Sequence, residues 1–319
     1  MLSTVLDDLG IPMQSSAFLS EFTTFRLGGP CKGLLTCQTP AELEKAIHVF
    51  LDNSLPFILI GGGSNLVVSD EGLDCYVIRY VSDVPSIEQD GSDLIVSGST
   101  NLDSLAQYAL KQGLEGLNYA TGIPGTVGGA IVGNAGAFGR QVGDVTKSVT
   151  LLTRTGIKKE VSTEELQFTY RDSILKKTGD IVLSVRFFLR PGNQEALEQE
   201  REEILRIRRE KHPDSQRYPC AGSFFRNIEP TSKAGKRQAA GWFLEQAGGK
   251  ELFHGGAKIF EQHANIIVKT DGGCAQDVFE LSKKMSQLVK EHFNLDLIRE
   301  VRFVGKFIGM PEDVKDWIW

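Results

Sequence analysis

The sequence predicts a mixed α/β or α+β chain of about two domains. Three observations carry that reading. The chain has 319 residues, against roughly 150 per domain. Segments with helical spacing and segments with strand character are interspersed along it. Composition then shifts to a run dominated by charge at residues 198–211, which places a boundary near residues 191 to 210. With 41% hydrophobic and 24% charged residues, the composition is that of a globular protein and argues against disorder.

Thr39-Pro40-Ala41-Glu42 is a capping box with proline at the first helical position. Leu43, Ala46, Ile47, Phe50 and Leu51 follow it at helical spacing. Leu55 to Ile60 reads as a buried strand that ends at Gly61-Gly62-Gly63-Ser64-Asn65. Tyr76 to Tyr80 and Leu94 to Ser97 read as further strands. Asn101 can cap a helix carrying Leu102, Leu105, Ala106, Ala109 and Leu110, stopped by Gly113. Strands follow at Val149 to Arg154 and Ile181 to Leu189. In the latter, Ile181, Leu183, Val185, Phe187 and Leu189 alternate with Val182, Ser184 and Arg186. Glu198 to Lys211 reads as a solvated helix joining two domains, with Glu202 and Arg206 at i,i+4 spacing. Beyond it lie helices at Gln238 to Ala247 and Asp277 to Phe293, the latter with Val278, Leu281, Met285 and Leu288 on one face. Ile298 to Val304 reads as a terminal strand.

The sequence also excludes. No stretch approaches the roughly 20 apolar residues of a membrane span, so no membrane insertion is expected. Met1-Leu2-Ser3-Thr4 lacks the basic start and apolar run of a signal peptide, so a cytoplasmic location is expected. A net charge of -6 disfavours a nucleic-acid partner. The five cysteines are odd in number and have no C-x-x-C pair, which argues against a disulfide framework. The histidines form no H-E-x-x-H, and no His/Cys cluster has zinc spacing, so no metal is expected.

The 34 glycines stand well above an average share of about 7%. One cluster is Gly61-Gly62-Gly63-Ser64-Asn65, where successive N–H groups can form an anion-binding nest suited to a pyrophosphate. The bland alternative is a tight turn. Leu66 stands where a Rossmann fingerprint needs its third glycine, and there is no G-x-x-x-x-G-K-[ST]. The second cluster is Thr121-Gly122-Ile123-Pro124-Gly125-Thr126-Val127-Gly128-Gly129-Ala130, then Asn134-Ala135-Gly136-Ala137-Phe138-Gly139. Two such loops suggest a long dinucleotide lying against bare backbone.

These loops are followed in order by Tyr170-Arg171-Asp172-Ser173, Ala221-Gly222-Ser223-Phe224-Phe225-Arg226-Asn227 and Glu300-Val301-Arg302. In this the chain resembles the UDP-N-acetylenolpyruvoylglucosamine reductases (MurB), bacterial flavoenzymes of peptidoglycan precursor synthesis. The resemblance runs from about Thr23 to Gly305. The short connection after Ser173 is similar to the family's second type, which lacks an extra substrate-covering loop. The resemblance implies an α+β fold: a two-part FAD-binding domain of the vanillyl-alcohol-oxidase/PCMH-like type over 1–200, with subdomains at about 1–80 and 81–200. A smaller α+β substrate-binding domain would occupy 201–305, and a C-terminal tail 306–319. It implies FAD as cofactor, NADPH as co-substrate, UDP-N-acetylenolpyruvoylglucosamine as substrate, and a monomer. Gly61, Gly62, Gly63, Ser64, Asn65, Gly122, Ile123, Pro124, Gly125, Thr126, Gly128, Gly129, Asn134, Gly136 and Ala137 would bind FAD.

The catalytic residues that the resemblance implies are Arg171, Ser223 and Glu300. On the residues alone, Ser223 reads as a serine capping a turn or strand end; the family motif makes it the proton donor to C2. Arg171 reads either as a surface ion pair with Asp172 or as a fixed cation facing an enolate-like intermediate. Alternation puts Glu300 and Arg302 on one face with Ile298 and Val304, so a Glu300–Arg302 pair is the plain reading. The family reading gives Glu300 a hydrogen bond to the enolate carboxylate, which requires it protonated. Tyr170, Lys211, Arg226, Asn227 and His263 would bind substrate. Lys211 reads equally as one more charge on the linker helix, and His263 as a structural histidine. Ile228 stands where the family has proline, Ile228-Glu229-Pro230-Thr231-Ser232 looks like a small insertion, and Phe260 replaces a commoner small polar residue. The competing readings are another FAD-dependent oxidase or dehydrogenase of the same fold, and a nucleotide-binding module without catalysis. The latter predicts loss of Arg171, Ser223 or Glu300, and all three are present.

Overall fold

The computed structural model describes residues 6, 10–229 and 237–310. Trp317-Ile318-Trp319 and residues 230–232 of the small insertion lie outside them. The chain folds as α+β around successive cores.

The first sheet orders its strands Met13–Ser15, Cys31–Cys37, Leu73–Tyr80, Phe57–Ile60. The last three run parallel, so their C-terminal ends gather on one edge. The helix Pro40–Asp52 covers one face, burying Leu43, Ala46, Ile47 and Phe50 against Phe57 and Ile78. Its start shows how local sequence sets structure. The Thr39 hydroxyl accepts from the Glu42 N–H at 3.2 Å. The Glu42 carboxylate reaches past the cap to the N–H of Gln38 at 2.7 Å, one residue further out than a capping box requires.

The second sheet is antiparallel, in the order Lys158–Ser162, Thr146–Leu152, Ile181–Phe188, Asp93–Ser97, Ile87–Asp90. Helices Leu102–Lys111 and Val127–Gly133 pack on it. Asn101 caps the first, accepting from the Ser104 N–H at 3.0 Å, and all five apolar positions read from its period are buried.

Two strand expectations need correction. Ile181–Phe188 does not keep one apolar face. Its register against Thr146–Leu152 slips between Thr150 and Leu151, a bulge that turns the strand over. Ile181 and Leu183 therefore enter the first core, whereas Val182, Val185 and Phe187 enter the second. The terminal strand is only Arg302–Val304, and it leaves its own domain to pair in parallel with Leu66–Val68. Ile298 is 61% exposed, so it shares no buried face with Val304.

The charged helix spans Gln194–Lys211 and is not solvated all round. Leu197 and Ile204 are buried, and Arg201 pairs with Asp103 at 2.8 Å. Arg206 pairs with Glu203 at 2.7 Å and Glu210 at 2.6 Å, not with Glu202. The last core lies under the sheet Phe253–His254, Ala257–Phe260, His263–Lys269 and the helices Ala240–Gln246 and Ala275–Phe293. It also takes in Phe25, Leu27 and Val67 from the N-terminal part of the chain. Phe307 is buried in this same core. Among the described residues, no helix is long and apolar enough to cross a membrane, and no group of three His, Cys, Asp or Glu could hold a metal ion. The five cysteines are free thiols.

Candidate active site

The parallel strand Phe57–Ile60 delivers the first glycine loop to the edge where strand ends gather. The second loop folds directly against it. The Ser64 hydroxyl donates to the Pro124 carbonyl at 3.1 Å, and a Cβ on Gly62 would stand 3.3 Å from the Gly125 Cα. At Gly63 the reason for glycine is explicit: φ is +65°, and a Cβ would collide with the Phe22 carbonyl. Part of the glycine requirement comes from loop meeting loop, and part from other backbone packed behind the loops.

What the pair of loops presents is unpaired backbone. The N–H groups of Gly62, Gly63, Ser64, Asn65, Gly125 and Thr126 donate to no other described residue. The neighbouring donors are already taken. The Gly122 N–H goes to Asp103 at 2.8 Å, Ile123 to the Ala120 carbonyl at 2.9 Å, Gly128 to the Gly98 carbonyl at 2.9 Å and Gly129 to the Thr126 hydroxyl at 3.3 Å. Asn134 is buried with its amide bonded to Thr169 and Gly143, and Gly136-Ala137 forms a two-residue hairpin with Arg140-Gln141.

The second feature is a seam where the turn at residues 169–172 meets the last core. Arg171 sits in a tight turn closed by reciprocal bonds between Thr169 and Asp172, each 3.1 Å. Its φ is +57°, a left-handed conformation that costs a residue with a Cβ on the order of 1 kcal/mol. Its Nε lies 3.1 Å from Glu300 Oε1, as an ion pair without the straight alignment of a hydrogen bond. Glu300 therefore faces Arg171 rather than running along its own strand with Arg302. The Glu300 N–H donates to the Phe224 carbonyl at 2.9 Å, and Phe225 bridges Arg299. On its other edge the same segment bridges Ile266 through Ser223. Ser223 is half-buried, and its hydroxyl bonds to no described residue.

Asn65 ties the two features together. Its side chain donates to the Glu300 carbonyl at 3.2 Å, and its own carbonyl accepts from the Arg302 N–H at 3.0 Å. The surroundings are cationic. Lys176 is pushed below the ordinary lysine range by burial, then by Arg226; Asp172, Arg302 and Glu300 act more weakly, the carboxylates in the opposite sense. The Arg226 Nε is buried with no hydrogen-bond partner among the described residues. Arg171, Lys176, Arg226 and Arg302 outnumber Asp172 and Glu300, so the seam suits an anionic ligand.

The remaining residues named from sequence fall on the same joint. The Tyr170 hydroxyl accepts from the Asn227 N–H at 3.3 Å, and its ring lies beneath the Arg237 guanidinium at 4.0 Å. The Asn227 side-chain oxygen accepts from the Ala240 N–H at 3.3 Å and caps the helix Ala240–Gln246. Lys211 is exposed at the end of its helix and acts on both His212 and His263. The two imidazole rings stand 5.6 Å apart. Burial holds His263 below the usual histidine range.

Comparison with known proteins decides what this arrangement belongs to. A profile of the UDP-N-acetylenolpyruvoylglucosamine reductase C-terminal domain matches residues 213–304, and an FAD binding domain profile matches residues 31–162. The UDP-N-acetylenolpyruvoylglucosamine reductase of Lactobacillus acidophilus is 36% identical over 299 residues, 93% of this chain and 96% of that protein. That of Clostridium novyi is 32% identical over 96% of this chain and 95% of its own. The chain belongs to the MurB family. The crystal structure of MurB from Thermus caldophilus superimposes with a TM-score of 0.76 at 32% identity, covering 92% of this chain and 100% of that one.

The FAD binding domain profile covers the N-terminal part of this MurB chain, and the residues there fit the cofactor. The six unpaired N–H groups of the loops form a nest with no internal acceptor, as a diphosphate requires. Two buried polar atoms nearby in sequence, Asn118 Oδ1 and the Tyr119 hydroxyl, also lack partners among the described residues. Sequence reasoning named neither Lys176 nor Asn265. Asn265 bonds the Phe225 backbone far along the chain, for which the local pattern holds no signal. Lys176 bonds the Arg171 carbonyl within the same stretch of chain, a contact set by the turn between them. Asn65 was named with its glycine loop, but its bond to the Glu300 carbonyl was not.

Proposed function

We propose that this chain reduces UDP-N-acetylenolpyruvoylglucosamine to UDP-N-acetylmuramate in peptidoglycan precursor synthesis, with NADPH as the source of reducing equivalents. Gly62 to Asn65 with Gly125 and Thr126 would hold the FAD diphosphate. When bound, FAD supplies a hydride relay from NADPH to the enolpyruvyl C3. Arg171 then stabilises the negative charge that develops on C2 and the carboxylate, a fixed cation being the largest single aid to such a step. Ser223, whose hydroxyl bonds to no described residue, would deliver the proton to C2 and regain one from solvent. Glu300 positions the substrate carboxylate beside Arg171. Arg226, Lys211, Tyr170, Asn227 and His263 contact the UDP-sugar. We assign residues 1–200 to cofactor binding and 201–305 to the substrate.

The observation that carries this reading is the seam itself: Arg171, Glu300 and the Ser223 segment meet beside a loop whose Asn65 holds the Glu300 backbone. The test separates the two half-reactions without oxygen. NADPH should bleach the flavin absorbance, and the UDP-enolpyruvyl sugar should restore it. Ser223→Ala should keep the first and slow the second by about 10²–10⁴-fold. Survival of both half-reactions in Ser223→Ala would remove Ser223 as proton donor. A wild-type flavin that NADPH bleaches but the UDP-sugar never restores would overturn the assigned substrate.

A further inference from the structure

We propose that Lys176 is a positioning residue that holds Arg171 in its left-handed conformation and so fixes the guanidinium against Glu300. The catalytic half of this inference rests on the function proposed above; the conformational half does not.

Arg171 needs such a hold. Its φ of +57° is a conformation that L side chains rarely adopt. The turn 169–172 closes on itself, which sets its curvature but bonds neither the N–H nor the carbonyl of Arg171. That carbonyl is taken by the Lys176 ammonium. The ammonium also lies 3.6 Å from Asp172 Oδ1, so one cation grips the residue and its neighbour together. The lysine is itself anchored. It stands in the short helix Leu175–Thr178, whose entry is fixed by the Ser173 hydroxyl bonded to the Val132 carbonyl at 2.8 Å.

The charge pattern argues against a passive role. A partly buried ammonium close to Arg226 and Arg302 is disfavoured both by lost hydration and by repulsion. A neutral side chain of similar length would relieve both. Removing the lysine would also leave the Arg171 carbonyl without its partner and free the turn to relax. A relaxed Arg171 swings its guanidinium away from the place where charge develops, and misplacement by about 1 Å costs on the order of 10²-fold in rate.

The test is a double-mutant cycle on the substrate half-reaction, with a structure as an independent arm. Lys176→Met should slow flavin reoxidation by the UDP-sugar about 10–100-fold at saturation. Reduction by NADPH should change less than about twofold, which a general loss of stability would not spare. In the Arg171→Ala background, adding Lys176→Met should cost less than about twofold, because a residue acting through Arg171 has nothing left to act on. Multiplicative losses would overturn the proposal. Lys176→Gln, which can still donate to the carbonyl, should be milder than Lys176→Met and serves if the methionine variant folds poorly. The crystal structure of either variant tests the hold without any turnover. In Lys176→Met, Arg171 should leave the left-handed region and separate from Glu300. An unchanged φ at Arg171 sinks the proposal whatever the substrate proves to be.

Discussion

One amide holds the Ser223 segment in register. Asn265 is 2% exposed, and its side chain mimics a strand partner: Oδ1 accepts from the Phe225 N–H at 2.9 Å, and Nδ2 donates to the Phe225 carbonyl at 2.8 Å. Its own carbonyl accepts from the Phe224 N–H at 2.8 Å. Asn265→Ala strips two buried backbone groups of partners, each worth roughly 1–3 kcal/mol when left unpaired. Urea denaturation should therefore show a loss of about 2–6 kcal/mol. A loss within about 0.5 kcal/mol, the range of an ordinary surface change, would mean that water replaces the amide. The same scale explains what could be read at Glu300. Its presence in a Glu-Val-Arg motif was legible, but its partner was not. The alternation that pointed to Arg302 assumed a continuous strand, and the chain forms only Arg302–Val304. Arg171, far earlier in the chain, pairs with the carboxylate.

At the scale of elements, structure was legible wherever its causes were local. The helix Leu102–Lys111 has its cap, its period and its stop within a dozen residues, and all were read correctly. The bulge in Ile181–Phe188 and the packed face of Gln194–Lys211 depend on partners far along the chain, and neither left a local mark. The glycine loops sit between these cases. Their clustering was plain, and the sequence offered a ligand cradle or a tight turn as its cause, but not the packing of loop against loop that accounts for part of the need. Two substitutions separate conformation from collision. Gly91 has φ +60° with open space at its Cβ position, and Gly63 has φ +65° with the Phe22 carbonyl in the way. Gly91→Ala should cost only the left-handed penalty, about 1 kcal/mol. Gly63→Ala should cost that and the clash, roughly 2 kcal/mol or more, and should also weaken FAD binding to the apoprotein in a fluorescence titration. Equal losses at the two positions would place the Gly63 requirement in backbone conformation alone.

Over the whole molecule, segments far apart in the chain are joined by a shared core and by specific polar contacts, and none of these was visible from sequence. Arg302–Val304 adds in parallel to Leu66–Val68, and the Thr24 hydroxyl donates to the Cys220 carbonyl at 2.7 Å. Motif order along the chain announced which pieces exist; only folding shows that they meet edge to edge. One joint is titratable. His212 at the end of the helix Gln194–Lys211 faces His263 of the last sheet, with Arg208 and Lys211 alongside. Burial, then Arg208, His263 and Lys211, pushes His212 down to about 4. Each of these surroundings disfavours the charged form. The unfolded chain, with a histidine near 6.5, therefore takes up the proton first as the solution is acidified. The contribution is fully present above about pH 6.5, is lost as pH falls toward about 4, and changes no further below that. His263, shifted in the same direction, adds to the slope. Urea midpoints measured from about pH 7.5 down to about pH 4.5 should fall for the wild type, and His212→Gln should flatten part of that fall. If the variant tracks the wild type at every pH, acid sensitivity lies elsewhere, and the paired imidazoles are not what acid loosens at this joint.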